Sequence, residues 1–154
     1  MKKDEKRMAD LTRQLRSVIN QIETLRVEIS RLDVLVSEYR NTITTLRNLK
    51  DLGAGKEVLL PVGSIAQIKA KLEEVDKVVV NIGSDISVEL PFEEAIKQIE
   101  KEIVAVLTLR DALEKAMVEL YARVEELSQK IREHGQAEAT GEIKDEKEKG
   151  SEKK

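Results

Sequence analysis

Apolar residues recur along the first third of the chain at alternating steps of three and four. They are Met8, Leu11, Leu15, Val18, Ile22, Leu25, Ile29, Leu32, Val36, Tyr39, Ile43 and Leu46. That spacing is the seam of a coiled coil, sustained well beyond the few heptads such a seam requires. The intervening positions are charged or polar, and no Gly or Pro interrupts them. The spacing predicts a helix over residues 8–52, roughly 68 Å long at about 1.5 Å per residue. Each seam side chain forgoes roughly 1.5–3 kcal/mol if left in water, so the helix needs a partner. Gly53 and Gly55 follow it, and glycine readily takes the left-handed conformation that ends a helix.

A second seam supplies the partner. Phe92, Ile96, Ile99, Ile103, Val106, Arg110, Leu113, Met117, Leu120, Val124, Leu127 and Ile131 repeat with the same step. Arg110 is the polar member. Pro91 suits a helix start, where no backbone donor is needed, and Gly135 is the expected stop. Two arms of equal seam length joined by a short centre should fold back antiparallel, which places Arg110 close to Asp33. Such a pair inside an apolar seam can hold register at some cost in stability.

Between the arms the period changes to two. Glu57–Val62 is a short apolar run holding Pro61, which suits an edge strand. Ala66, Ile68, Ala70 and Leu72 then alternate with Gln67, Lys69 and Lys71, as in a half-buried strand. Val78, Val79 and Val80 form a β-branched run. Gly83-Ser84-Asp85 is a hairpin signal, after which Ile86, Val88 and Leu90 alternate with Ser87 and Glu89. This predicts two hairpins, 57–61 with 64–71 and 77–82 with 86–90. Isolated hairpins are marginal in water, and their edges invite pairing with another chain. The apolar positions expected at a subunit interface are Val58, Leu60, Ile65, Ile68, Val78, Val80, Ile82, Ile86 and Val88.

The fold class expected is therefore α+β: a long antiparallel α-helical coiled-coil hairpin with two central β-hairpins. Its divisions are a disordered start (1–7), arm one (8–52), the assembly module (53–90), arm two (91–134) and a disordered charged tail (135–154). The tail is Glu, Lys, Gly and Ala with almost no apolar content.

Composition narrows the function. Charged residues make up 37% of the 154 residues and aromatics 2%, with no Trp, which argues against a single-centred globule. A net charge of −3 gives no general pull towards nucleic acid or anionic membrane. The absence of Cys removes disulfides, thiolate nucleophiles and Cys-based metal sites. The longest apolar run, Ile103–Leu107, is too short for a bilayer, and the charged start leads into no signal core. A cytoplasmic protein is expected. The single His, His134, has no ligand set near it in sequence and is expected to face solvent. Gly53-Ala-Gly-Lys56 lacks the glycine spacing and hydroxyl residue of a phosphate loop. No catalytic, cofactor-binding or metal-binding residue is expected, and an enzyme is not.

At the two ends of the hairpin the seam consists of Met8, Leu11 and Leu15 on one arm and Val124, Leu127 and Ile131 on the other. Helix ends fray, and flexible aliphatic and Met side chains exposed there could take non-native chains.

Two heptad arms flanking two hairpins resemble an alpha-type subunit of prefoldin. The resemblance rests on Lys56-Glu-Val-Leu-Leu-Pro-Val62, Asp76-Lys-Val-Val-Val-Asn-Ile-Gly83 and Val88-Glu89, and spans residues 8–134. It implies a chaperone subunit that works without ATP or any cofactor. It implies β-hairpins that join prefoldin beta-type subunits, coiled-coil tips that hold unfolded proteins, and delivery to a group II chaperonin. Carried onto this chain, the client-binding residues are Met8, Leu11, Leu15, Val124, Leu127 and Ile131. The Gly63–Lys69 region lacks the aromatic residue and Pro-Gly common in alpha subunits. In this it looks like the divergent gamma-type prefoldin, whose copies assemble with themselves into filaments.

Overall fold

The computed structural model describes residues 2–151, with the side chains of residue 138 and residues 142–151 excepted. The elements run α1 (Lys2–Leu52), β1 (Glu57–Val62), β2 (Ala66–Lys71), β3 (Lys77–Asn81), β4 (Ser87–Pro91) and α2 (Phe92–Ser151). The chain divides into two compact units, Arg31–Arg110 and Met1–Ser30 with Asp111–Lys154.

In the Arg31–Arg110 unit the core is Val36, Ile43, Phe92, Ile96, Ile99 and Ile103, with Tyr39, Leu46, Val75 and Val78 packed on it. All but Val75 and Val78 are seam positions, so the heptads do bury. Pairs between the helices, Lys50 with Glu93 and Arg110 with Asp33, climb one helix while descending the other, so the two run antiparallel. Gly53 ends α1 with a φ of 84°, its N–H donating to the Leu49 carbonyl at 3.3 Å. Phe92 anchors the start of α2: it is buried, Lys50 Nζ lies 4.1 Å from its ring centre, and its N–H donates to the Asp76 carbonyl at 2.9 Å.

The strands form two separate two-stranded antiparallel sheets, β1–β2 and β3–β4. Leu60 lies opposite Ile68 in the first and Val80 opposite Val88 in the second. The strand boundaries differ from expectation by one or two residues, and Pro91 ends β4 instead of opening α2.

The other unit packs α1 and α2 antiparallel around Val18, Ile22 and Leu127, joined by Leu11, Leu15, Met117, Leu120 and Val124. Arg26 Nη2 donates to the Tyr121 hydroxyl at 2.8 Å beside this seam.

Two expectations at the termini are corrected. Helix begins at Lys2, within the stretch 1–7 expected to be disordered, and α2 continues through Gly135 and Gly141 to Ser151. Neither glycine takes the positive φ that ends a helix. An interior glycine costs only about 1 kcal/mol against alanine, and the Glu, Lys, Gln and Ala around it are good helix formers. Met1 and residues 152–154 lie outside the described residues.

Candidate functional site

The hairpins present two different surfaces. Antiparallel pairing directs alternate backbone groups at the partner strand and the rest away from it. In the first hairpin the Leu72 N–H donates to the Lys56 carbonyl at 2.8 Å. Together with the register, this turns Val58, Leu60 and Val62 inward on β1, and Ala66, Ile68 and Ala70 inward on β2. Glu57, Leu59 and Pro61 on β1, and Gln67, Lys69 and Lys71 on β2, therefore direct their backbone groups outward.

The second hairpin follows the same logic. Ile82 N–H donates to the Ile86 carbonyl and Phe92 N–H to the Asp76 carbonyl, each at 2.9 Å. Val78 and Val80 thus face β4, while Lys77, Val79 and Asn81 direct their backbone groups away from it. On β4 the outward positions are Ser87, Glu89 and Pro91. The chain's two prolines both fall at outward positions, where a missing N–H costs the hairpin nothing.

Side chains alternate between the faces of each sheet. One face of β1–β2 is wholly apolar: Val58, Leu60, Val62, Ala66, Ile68 and Ala70. Leu60, Val62 and Ile68 are exposed there. The corresponding face of β3–β4, with Val78, Val80, Val88 and Leu90, is half-buried, and Val78 packs on the helical core. Among the expected interface residues, Leu60, Ile65, Ile68, Ile82 and Ile86 are exposed, while Val58, Val78, Val80 and Val88 are half-buried. Ile65 sits in the β1–β2 turn and is 98% exposed. Leu59, Val62 and Val79 are also exposed and were not in the expected set. Their apolar character at strand positions was the available signal.

The β3–β4 turn is tight. Ile86 N–H donates to the Gly83 carbonyl at 2.9 Å, with Ser84 and Asp85 between them at φ 50° and 59°. Positive φ at both central residues matches the right-handed twist of a hairpin. Asn81 Oδ1 accepts from Gly83 N–H at 2.8 Å and stiffens the approach.

In the other unit, Leu11, Leu15, Val124 and Leu127 of the six end-seam residues come together in one apolar cluster. Leu127 is 1% exposed, and Met8, Leu11, Leu15, Val124 and Ile131 are half-buried. His134 continues this seam instead of facing solvent. Its side chain is 19% exposed, with Nε2 3.9 Å from Asp4 Oδ1. The heptad step predicts this, since His134 follows Ile131 by three.

Among the described residues, no group of acidic or His side chains could hold a metal ion. No described helix is long and apolar enough to cross a membrane.

Comparison with known proteins agrees with the hairpin-and-arms architecture. A family model described as "Prefoldin subunit" matches residues 5–137. A putative prefoldin subunit alpha of Aquifex aeolicus is 49% identical over 90% of this chain and 93% of its own. Prefoldin subunit alpha 2 of Methanocaldococcus jannaschii is 53% identical over 77% of this chain and 80% of its own. Among solved structures, a chain from the cryo-EM structure of filamentous PFD from M. jannaschii superposes with a TM-score of 0.72. It is 52% identical, over 77% of this chain and 98% of that one.

Proposed function

This chain belongs to the prefoldin family of chaperone subunits, and on that footing we propose that it is an ATP-independent holdase subunit whose β-hairpins join copies of the chain into a filament. The observation that carries the assembly reading is the exposed apolar face of β1–β2, framed by strand edges on both hairpins. Two-stranded sheets with such a face are stabilised by added strands. Self-assembly is favoured by the likeness to a chain of filamentous PFD. Light scattering of the purified chain alone should show very large, polydisperse species; a small discrete species would refute self-assembly.

The alpha-subunit names of the curated relatives support a second reading, a mixed assembly with prefoldin beta-type subunits. Under it, adding such a subunit to the chain yields a discrete complex of fixed mass.

For client holding, the end seam supplies the surface. Met8, Leu11, Leu15, Val124, Leu127 and Ile131 meet unfolded protein when the closed seam opens, and the client then passes to a group II chaperonin in the cytoplasm. Fraying at helix ends and the adaptable side chains there support this assignment. The chain should suppress aggregation of an unrelated unfolding protein without ATP, and removal of residues 1–15 and 125–154 should abolish that suppression. Suppression that survives the truncation rules the assignment out.

A further inference from the structure

We propose that the unit of Met1–Ser30 with Asp111–Lys154 carries a second client site, a groove on one flank of its seam that takes an extended, apolar segment of unfolded polypeptide. The inference rests on the holdase reading and adds to it a site that needs no opening of the seam.

The groove exists because one flank is built from short side chains. By heptad position, Gln21 and Ala116 stand in the row on one side of the seam, and Arg26 and Tyr121 in the row on the other. Such rows usually carry long charged residues whose stems cover the seam. Arg26 does this on its side, with Nη2 donating to the Tyr121 hydroxyl at 2.8 Å. Ala116 has no stem to offer. Leu25 and Leu120, both seam positions, stay half-buried, whereas Ile22, three residues before Leu25, is buried. The result is a groove of about 600 Å³ with Leu25, Leu120 and Ala116 as its floor, and neither Arg26 nor Tyr121 lines it.

The rim says what the groove accepts. Ser17, Asn20, Gln21 and Thr24 line it from α1, and Glu119 lines it from α2. In a chain with 37% charged residues, that α1 rim is wholly uncharged. Between Arg16 and Arg26 the one charged residue is Glu23, and its carboxylate pairs with Arg26 at 3.3 Å. The exposed amides of Asn20 and Gln21 each offer an acceptor oxygen and an N–H donor. Thr24 Oγ1 donates to the Asn20 carbonyl at 3.0 Å, which leaves its lone pairs to accept.

This chemistry fits an extended backbone. A segment that leaves water for a leucine floor needs partners for its N–H and C=O groups, and the amides supply both kinds. A docking helix satisfies its own backbone and would draw nothing from this rim. Successive turns of α1 repeat the rim every ~5.4 Å, close to the ~6.6 Å spanned by two extended residues. Over two turns, alternate side chains of the segment therefore reach the floor. Glu119 is the groove's single charge, so neutral or basic segments are admitted and acidic ones are disfavoured.

The test follows a dye-labelled peptide of alternating Leu and Ser with a terminal Lys, by fluorescence anisotropy on the full chain. Wild type should bind it, and should bind the same peptide ending in Asp more weakly. Methylating the peptide's backbone nitrogens removes donors and should raise Kd about tenfold. Ala116→Leu fills the groove and should also raise Kd about tenfold. Ala122→Leu adds the same bulk at an exposed position off the groove and should change nothing. Asn20→Ala/Gln21→Ala keeps the floor and should weaken the plain peptide but not the methylated one, a pattern that misfolding does not produce. A photo-cross-linker on the peptide should label residues 17–25 and 116–120.

Four results overturn the groove while leaving the holdase reading standing. They are cross-links confined to residues 8–15 and 124–131, binding that Ala116→Leu leaves intact, equal binding of the methylated peptide, and no peptide binding by a chain that suppresses aggregation. A wild-type chain that neither binds the peptide nor suppresses aggregation removes both.

Discussion

Arg110 meets Asp33 across the two helices, with Nε donating to Oδ1 at 2.5 Å and Nη2 to Oδ2 at 3.5 Å. The pair stands where the seam pattern calls for an apolar side chain, and it links residues of opposite helices within the Arg31–Arg110 unit. A fork-to-carboxylate contact fixes geometry more than an apolar contact does, so one-turn slippage of α2 along α1 would break this pair.

The two ends of this pair should respond differently to mutation. Arg110 is 26% and Asp33 52% exposed at the side chain, so solvent screens much of the attraction and the coupling should be about 0.5–1 kcal/mol. Asp33→Ala leaves a charge in the seam and should lower stability by about 1 kcal/mol. Arg110→Leu continues the apolar seam and should be neutral or stabilising. Denaturant titration of both single variants and the double variant checks these values. A coupling well above this range would mean that the pair contributes stability and not register alone.

The β3–β4 turn should gain from glycine. Asp85 holds a φ of 59°, a conformation that costs a residue with a Cβ roughly 1–2 kcal/mol, less for Asp than for most. Asp85→Gly should stabilise the hairpin by about 0.5–1 kcal/mol after allowing for the looser unfolded chain. Slower amide exchange at Val80 and Val88, which pair across the ladder, is the expected readout. Faster exchange would contradict it.

The closed seam of the other unit depends on Leu127. Its complete burial against Val18 and Ile22 predicts that Leu127→Ala costs about 2–5 kcal/mol. Val118→Ala, at an exposed position of the same helix, should stay within about 0.5 kcal/mol of wild type. Chemical denaturation separates the two; equal effects would contradict the seam.

Glu126 makes the second arm sensitive to acid. Hydrogen bonds from Lys130 at 2.5 Å and from Arg123 at 2.7 Å hold its carboxyl below the usual range, the lysine contributing most. A depressed carboxylate contributes stability that is present above the ordinary Glu pKa of about 4.3 and is lost as pH falls through the folded value. Glu126→Gln should therefore melt earlier than wild type at neutral pH, with the gap closing in acid. A gap that widens in acid would reverse the assignment.

Much of this fold was legible from periodicity. Apart from Ala95, the buried side chains of the helices are seam positions, and equal arms placed Arg110 beside Asp33. Alternation around Ile68 and Val88 located the strands. The helix through Gly135 was not legible, because glycine marks a helix end only where tertiary context or a positive φ makes it one. The seam step reaches His134, three residues after Ile131, but only the structure shows Asp4 beside it. The outward positions of Pro61 and Pro91 were hidden for a different reason. Alternation says which face a side chain takes, but which way an N–H points depends on the pairing register.

In the assembly proposed above, copies of this chain join through their own hairpins. Electron microscopy of the purified chain, with no other subunit present, tests it most directly. Extended filaments built from repeats of this chain are expected. A field of single chains or small closed particles would contradict the account.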